Sequence, residues 1–555
     1  MSAQAEPPTS SVRNRLFDHG PRVLALLTFL TGSIALTSAA IPNAPLVSEK
    51  VLQRIIAEAP VLALAFGGLS LMALSLGLAR RLKTAWFLTL VTSLHGVVAT
   101  LIFRPRPLEL SIYLLLLAIL IAARHGFYRH SSLQSITFPR IWFLAAFLSV
   151  VIAGFFSLLW ISHQKGFVEA KFIDLVLDPV LGEAGRPVAL AFLVLALGAF
   201  YLAFASPFRP RPPTPSDDDF HQLAEIFEKS DGPRPDNVLA FSGDKSLFYS
   251  ADRSAAIPYA ETAGVRIAMG PPLGPRSAWK EALDAFRRQA DLDAMKPAIY
   301  SAPPELLPDL MDLRFNVEKI GENATLDLPG FSLSGRKREV IRRSRRKLAE
   351  RSGATFRISL PPHNSDLLDQ LKPVSDSWLS ANGAKEKSFS LGRFEKTFLD
   401  RCPIGIVEIE GRTAAFGSLL TTPDKSWAAI DLMRYDPNIA VTNTMDFLLV
   451  ELILWAKEDG YQKFDLAMAP LSGLVEAEFA PLYAKIGHFI FERGERFYNF
   501  RGLRRFKQKF DPDWEPRYIA APGYWSLPIV LAHAARLTNN APQKKPPALQ
   551  VAGSE

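Results

Sequence analysis

IGIVEIEGRTAAFGSLLTT (404–422), SWAAIDLMRY (426–435) and FDLAMA (464–469) decide the fold of the C-terminal half. The first reads as a β-hairpin turning at Glu410-Gly411, with apolar runs on both sides of a glycine-containing turn. The second and third read as single strands. Between them, residues 442–459 predict a helix with Met445, Leu448, Leu449, Leu452, Trp455 and Ala456 on one face and Gly460 at the C′ position. Working upstream, VLAFSG and SLFYSA (238–251) predict paired strands around Gly243-Asp244. Residues 277–291 predict an amphipathic helix, ATLDL (324–328) a strand, and 336–351 a helix. Two α/β series of similar length therefore predict two related lobes.

The N-terminal part is different. Stretches at roughly 22–42, 55–79, 84–103, 107–123, 141–162 and 187–207 each approach the ~20 apolar residues that cross a bilayer. With 555 residues the chain exceeds one domain. The expected organisation is a cytoplasmic tail (1–21), a membrane domain of about six helices (22–208) and a Pro-rich linker (209–219). A first lobe (220–355), a second, catalytic lobe (356–525), and a C-terminal helix with a disordered tail (526–555) follow. The first apolar stretch lacks a small-residue cleavage site and reads as an anchor. Arg13, Arg15, Arg22, Arg80, Arg81, Lys83, Arg124, Arg129, Arg140, Arg209 and Arg211 fall on one side of six spans, against Lys50, Arg54, Arg104 and Arg106 on the other. That bias puts both termini in the cytoplasm. His95, inside a span, is expected to make a neutral interhelical hydrogen bond.

A net charge of +8 favours an anionic partner, although positive-inside loops also add basic residues. Cys402 is the single cysteine, which excludes an internal disulfide and any Cys/His zinc spacing. It reads as a small core residue.

The order hairpin, strand, helix, strand, helix in the second series resembles the GNAT acyltransferase core, in which two central strands splay to admit an acyl donor. Where the CoA-dependent members have a Gly-rich pyrophosphate loop, this chain has YDPNIAVTNTMD (435–446), without glycine. Backbone amides there cannot approach a pyrophosphate closely. The donor is therefore expected to be something other than acetyl-CoA.

KIGENATLDLPGFSLSG (319–335), FSLGRF (389–394), DLMRY (431–435), FDLAMAPLSGL (464–474) and FYNFRGLRRFKQKFDPDWEPRY (497–518) resemble, in order, the synthase domain of the multiple peptide resistance factor family over about 214–525. The family comprises phosphatidylglycerol lysyltransferases and their alanyl relatives. The resemblance implies tandem GNAT-like lobes after a multi-pass membrane domain in the bacterial inner membrane. It also implies transfer of an aminoacyl group, most often lysyl, from aminoacyl-tRNA to phosphatidylglycerol. Full-length members carry a larger membrane region that flips the product lipid, and this chain has only about six spans. Alanyl transfer, another lipid acceptor, and a membrane transporter with a regulatory cytosolic domain remain alternatives.

Exchange of one ester for another needs positioning, oxyanion stabilisation and a proton acceptor, with no cofactor or metal. Asp431 fits a proton acceptor or a group that recognises the substrate amine. Arg434 fits a phosphate or oxyanion ligand. A structural ion pair is the competing account of both. Ser472, in a loop after a strand, is either a site-lining residue or an ordinary turn serine. Arg501, Arg504, Arg505, Lys507 and Lys509 form a basic, aromatic-laced segment suited to phosphate. The 336–351 helix has nine Lys or Arg, and its Arg342, Arg343, Arg345 and Arg346 suit tRNA or the anionic membrane. A homo-oligomer through the membrane domain is a further expectation.

Overall fold

The computed structural model describes residues 11–40, 67–103, 107–129, 212–336, 338–364, 366–470, 472–473, 500–523 and 526–539. The chain divides into two compact units, with the division near residue 210.

The N-terminal unit contains helices α1 (Ser11–Ala40), α2 (Gly67–Ala79), α3 (Lys83–Phe103) and α4 (Pro107–Ala122). The expected spans at 141–162 and 187–207 lie outside the described residues, as does the first part of 55–79. Among the described residues, Lys83–Leu101 is the one helix long and apolar enough to cross a membrane. Small residues let these helices approach closely: a Cβ on Gly32 would lie 2.3 Å from the Gly68 carbonyl oxygen. The hydroxyls of Thr28, Thr89 and Thr100 donate to the carbonyl four residues back, so these polar groups need no partner outside their helix. The basic connections after α2 and α4 meet at one end, where Lys83 N–H donates to the Arg129 carbonyl and Arg129 N–H to that of Arg81. His95 is exposed on α3, and no interhelical hydrogen bond to it is seen among the described residues.

Among the described residues the C-terminal unit is built on one 11-stranded sheet in the order β1-β2-β3-β4-β11-β5-β10-β9-β8-β7-β6. Its entry helix α5 (Asp217–Glu228) begins inside the expected linker. Ser216 and Asp219 close a reciprocal capping box, and the Asp217–Asp219 carboxylates complement the helix N-terminus. The expected strand at 238–243 is instead a helical turn (Pro235–Val238) followed by a 3-10 turn (Leu239–Ser242). Proline at the first helical position favours the turn, and only β1 (Ser246–Tyr249) remains extended.

Strands β2 (Ala256–Thr262) and β3 (Val265–Met269) form a hairpin, and α6 (Arg276–Leu292) crosses over to β4 (Lys296–Ala302). The long β5 (Asn316–Asp327) leads to α7 (Glu339–Ser352) and β6 (Thr355–Ser359). Helix α8 (Leu367–Ala381) and a loop lead to the hairpin β7 (Ile404–Ile409) and β8 (Arg412–Thr421). Glu410 and Gly411 both take positive φ at its turn, as that tight reversal requires. β9 (Trp427–Tyr435), α9 (Thr444–Glu458) and β10 (Lys463–Pro470) complete the second series.

The last strand has an unexpected place. After α10 (Phe500–Gln508), β11 (Asp513–Ala521) runs antiparallel between β4 and β5, inside the sheet region built by the first series. Helix α11 (Leu527–Asn539) then packs back on the same region. The two series therefore share one continuous sheet.

Ala520 is fully buried on β11, among a core that includes Tyr259, Trp279, Phe286 and Ile299. Ala520→Glu is expected to destabilise the C-terminal unit by more than about 3 kcal/mol, because an unpaired carboxylate is placed in that core. Chemical denaturation followed by tryptophan fluorescence measures the loss.

Candidate active site

The site is created by two strands that part. β9 and β10 pair in parallel only at Trp427–Lys463, Ala428–Phe464 and Ala429–Asp465. Beyond that, β9 stays with β8 and β10 stays with β5, so a fork opens between them. A bulge between Asp465 and Met468 turns β10 away, with Ala467 at φ 67°. In the first series β3 and β4 pair over their whole common length, Val265–Met269 with Lys296–Tyr300, and no fork forms.

Asp431 lies on β9 just past the fork. Its Oδ1 accepts the Gly392 N–H at 2.8 Å, and its buried Oδ2 accepts no hydrogen bond among the described residues. Burial pushes its carboxyl up to about 6, against the Gly392 bond and the charges of Arg434 and Lys245; Glu386 adds to the rise. A carboxylate that changes state near neutrality suits proton transfer. Arg434 lies over the Trp378 ring, its guanidinium carbon 4.2 Å from the ring centroid, and reaches Glu386 at 3.5 Å. One loop thus serves both residues, Gly392 holding Asp431 and Glu386 holding Arg434. Neither loop residue is a sequence-level candidate; the FSLGRF motif is the signal that marks Gly392.

A second cluster brings together Ser472 and Arg504 through a residue that sequence reasoning missed, Glu322 of β5. Ser472 Oγ donates to Glu322 Oε2 at 2.7 Å, Arg504 donates to the same oxygen at 2.8 Å, and Lys319 Nζ donates to Oε1 at 2.7 Å. Arg504 also contacts Ser472 Oγ and lies over Trp514. Burial opposes ionisation of Glu322, but the Lys319 and Ser472 hydrogen bonds with the Lys319 and Arg504 charges outweigh it and hold the carboxyl below its usual range. The KIGENA stretch carries both Lys319 and Glu322, three apart across a register shift in the β5–β11 pairing.

The rest of the basic segment separates. Lys507 turns inward, buried, and donates to the carbonyls of Ala467 and Met468 at 2.7 and 2.9 Å, so it pins the bulge. Burial pulls its ammonium down to about 8, against the charge of Asp465. Asp465, buried, accepts from Asn323 Nδ2 at 2.6 Å and from the Ala467 N–H at 2.7 Å. Burial pushes its carboxyl up, against the Arg517 charge. Lys509 pairs with both oxygens of Asp446 at 3.2 Å. Asp446 is in the first turn of α9, so the helix start holds a carboxylate already paired with Lys509. Arg505 is exposed, and the Arg501 side chain lies outside the described residues.

On α7, Arg343 pairs with Glu339 and Arg346 approaches Glu350, both cations remaining mostly exposed. Arg345 reaches across to Glu451 of α9, and Arg342 donates to the Leu333 and Gly335 carbonyls. Cys402 is buried in the core. Among the described residues no group of three or more His, Cys, Asp or Glu is arranged to hold a metal.

The continuous sheet with its forked parallel pair puts the C-terminal unit in the GNAT-like class of α/β folds. Residues 224–521 match the family described as phosphatidylglycerol lysyltransferase, C-terminal, and the chain belongs to that family. The phosphatidylglycerol lysyltransferase of Bacillus subtilis (strain 168) is 28% identical over 528 residues, covering 93% of this chain and 59% of its own length. That of Staphylococcus epidermidis is 33% identical over 290 residues, covering 52% of this chain and 34% of its own. The chain thus spans about a third of the staphylococcal relatives it matches. Among solved structures, L-PGS from Bacillus licheniformis superposes with a TM-score of 0.54 at 33% identity, covering 60% of this chain and 98% of that one. The C-terminal domain of a putative lysylphosphatidylglycerol synthetase from Agrobacterium fabrum gives 0.53 at 35% identity, covering 59% and 98%.

A Cβ on residue 392 would lie 1.8 Å from Asp431 Oδ2, so only glycine lets this loop close over the carboxylate. Gly392→Ala is expected to lower stability by about 1–3 kcal/mol as the loop moves away. Thermal unfolding of the purified variant reads the effect.

Proposed function

We propose that this chain transfers an aminoacyl group, lysyl by the names of its relatives, from aminoacyl-tRNA to a hydroxyl of phosphatidylglycerol. The observation that carries the reading is Asp431: a shielded carboxylate poised near pH 6, beside an arginine, at the open fork of an acyltransferase-type sheet. The glycine-free 435–446 segment ahead of α9 keeps backbone amides from approaching a CoA pyrophosphate closely and leaves the fork to a different acyl donor.

In the proposed reaction the lipid hydroxyl oxygen attacks the aminoacyl carbonyl carbon. Asp431 takes the hydroxyl proton, and Arg434 faces the oxyanion. The carbon–oxygen bond to the terminal ribose then breaks, and the proton passes from Asp431 to the departing ribose oxygen. Proton acceptance requires ionised Asp431, so transfer is present above about pH 6 and is lost as pH falls through it. The Glu322, Ser472 and Arg504 cluster lies on the β5–β10 side of the fork, where a hydrogen-bonded carboxylate suits a substrate ammonium and the arginine a phosphate.

The second lobe is the catalytic one in this reading, because it alone has the fork. The apolar outer faces of α3 and α4, with Phe87, Leu94, Leu101 and Leu115 exposed, suit contact with lipid. The reading places a multi-pass domain of about six helices in the bacterial inner membrane, the C-terminal unit in the cytoplasm, and any homo-oligomer contact within the membrane domain.

Membranes containing the protein are expected to convert phosphatidylglycerol into an aminoacyl ester, given charged tRNA and no acetyl-CoA, as thin-layer separation of extracted lipids shows. Asp431→Asn and Arg434→Ala are each expected to lower turnover at least about tenfold, ~1.4 kcal/mol of barrier, with folding kept. Acetyl transfer from CoA with charged tRNA left intact overturns the reading.

The exposed cations of α7 favour a polyphosphate chain. Replacing Arg342, Arg343, Arg345 and Arg346 is expected to weaken tRNA binding. It also flattens the salt dependence by roughly 0.7–0.9 log unit for each phosphate that is no longer neutralised. Unchanged tRNA affinity with weaker binding to anionic vesicles assigns the helix to the membrane surface instead.

A further inference from the structure

The Gly243-Asp244-Lys245 turn precedes β1 in the first series, and although Gly243 is exposed, the Asp244 and Lys245 side chains are buried against the loop that closes over Asp431. Gly243 adopts φ 71°, which reverses the chain after the Leu239–Ser242 turn and sends the next two side chains inward. Lys245 Nζ donates to the Leu239 carbonyl at 2.9 Å, to Ser242 Oγ at 2.9 Å and to Asp244 Oδ1 at 2.6 Å. The Lys245 side chain has no exposure to solvent. The other oxygen of Asp244 accepts the Phe389 N–H at 2.6 Å. Three residues further on, Gly392 N–H donates to Asp431. The 389–392 segment is therefore tied by one backbone amide to Asp244 and by another to Asp431. Phe389 takes φ 61°, an unfavourable conformation for phenylalanine, and Asp244 holds it there with packing on Tyr300.

A fully buried ammonium is costly to desolvate, and one buried carboxylate repays that only in part. An apolar side chain of the same length would fill this position at lower cost if packing were all that mattered. Burial pulls the Lys245 ammonium down, Asp244 at 2.6 Å opposes that, and the charge so held has a second object, since it favours the ionised form of Asp431.

We infer that Lys245 is a positioning residue for the transfer reaction, supplied from the first lobe: with Asp244 it fixes the 389–392 segment over Asp431 and provides the cationic field in which Asp431 ionises. This rests on the reading of Asp431 as proton acceptor. The groups facing Asp431 are Gly392 N–H and Glu386 from the loop, Arg434 from β9, and Lys245, itself paired with Asp244, from the first lobe. Arg393, which reaches the Ser242 carbonyl at 3.5 Å and pairs with Glu395, and the buried Cys402 complete the surroundings. Burial and Glu386 oppose ionisation, while Gly392, Arg434 and Lys245 favour it. Loss of the Lys245 charge therefore raises the pH below which Asp431 is protonated and activity is lost.

The test is the pH dependence of single-turnover aminoacyl transfer by the purified full chain between about pH 5 and 8.5, for the wild type, Lys245→Met, Lys245→Arg and Asp431→Asn. The wild type is expected to show an acid limb near pH 6. In Lys245→Met the limb moves up by about one unit, with the KM for lipid unchanged, and in Lys245→Arg it stays in place. Where circular dichroism shows that the methionine variant does not fold, Lys245→Gln, which keeps an amide donor, is read in the same way. An unmoved limb in a folded neutral variant overturns the Lys245 proposal. A wild type without an acid limb, or an Asp431→Asn variant with full turnover, overturns the proton-acceptor reading instead.

Discussion

The C-terminal unit depends on the point where β10 stops pairing with β9. Three residue pairs hold the two strands together, and then the Asp465–Met468 bulge commits β10 to β5. A bulge costs ladder hydrogen bonds, and the structure compensates with specific donors. Lys507 caps the carbonyls of Ala467 and Met468, and the Ala467 N–H finds Asp465. Buried groups that only repair a defect in a sheet are otherwise wasteful. Here they keep open the fork on which Asp431 stands.

The sheet supplies the complementary constraint. With β11 between β4 and β5, the last described strand closes the region that the first series began. Its Arg517 is buried beside Asp465, and its Glu515 pairs with Arg234. The two lobes are coupled through the sheet, where β5 pairs with both β10 and β11, and again through Asp244 and Phe389 over Asp431. A site assembled this way needs both lobes folded, although only one of them carries the fork.

Basic residues serve several purposes that sequence spacing does not separate. The cations of residues 501–509 form one cluster in the sequence. In the fold Arg504 meets Glu322, Lys507 pins the bulge, Lys509 neutralises Asp446, and Arg505 stays in solvent. A short amphipathic helix distributes consecutive residues around its axis, so neighbours in sequence reach different partners.

Much of the architecture is legible in the chain itself. The β7–β8 hairpin at Glu410-Gly411, strand β9, helix α9 and strand β10 follow from local periodicity and turn chemistry, which depend on near neighbours alone. The glycine-free segment before α9 and the FSLGRF and DLMRY motifs point to the site. Tertiary structure alone decided what depends on distant residues: the insertion of β11 into the first lobe, the union of Glu322 with Ser472 and Arg504 across 150 residues or more, and the Gly392 amide over Asp431. It also turned 238–243 into helical turns where an apolar run predicts a strand. Strand order and side-chain ionisation are set by packing and desolvation between segments far apart in sequence, and no local pattern encodes them.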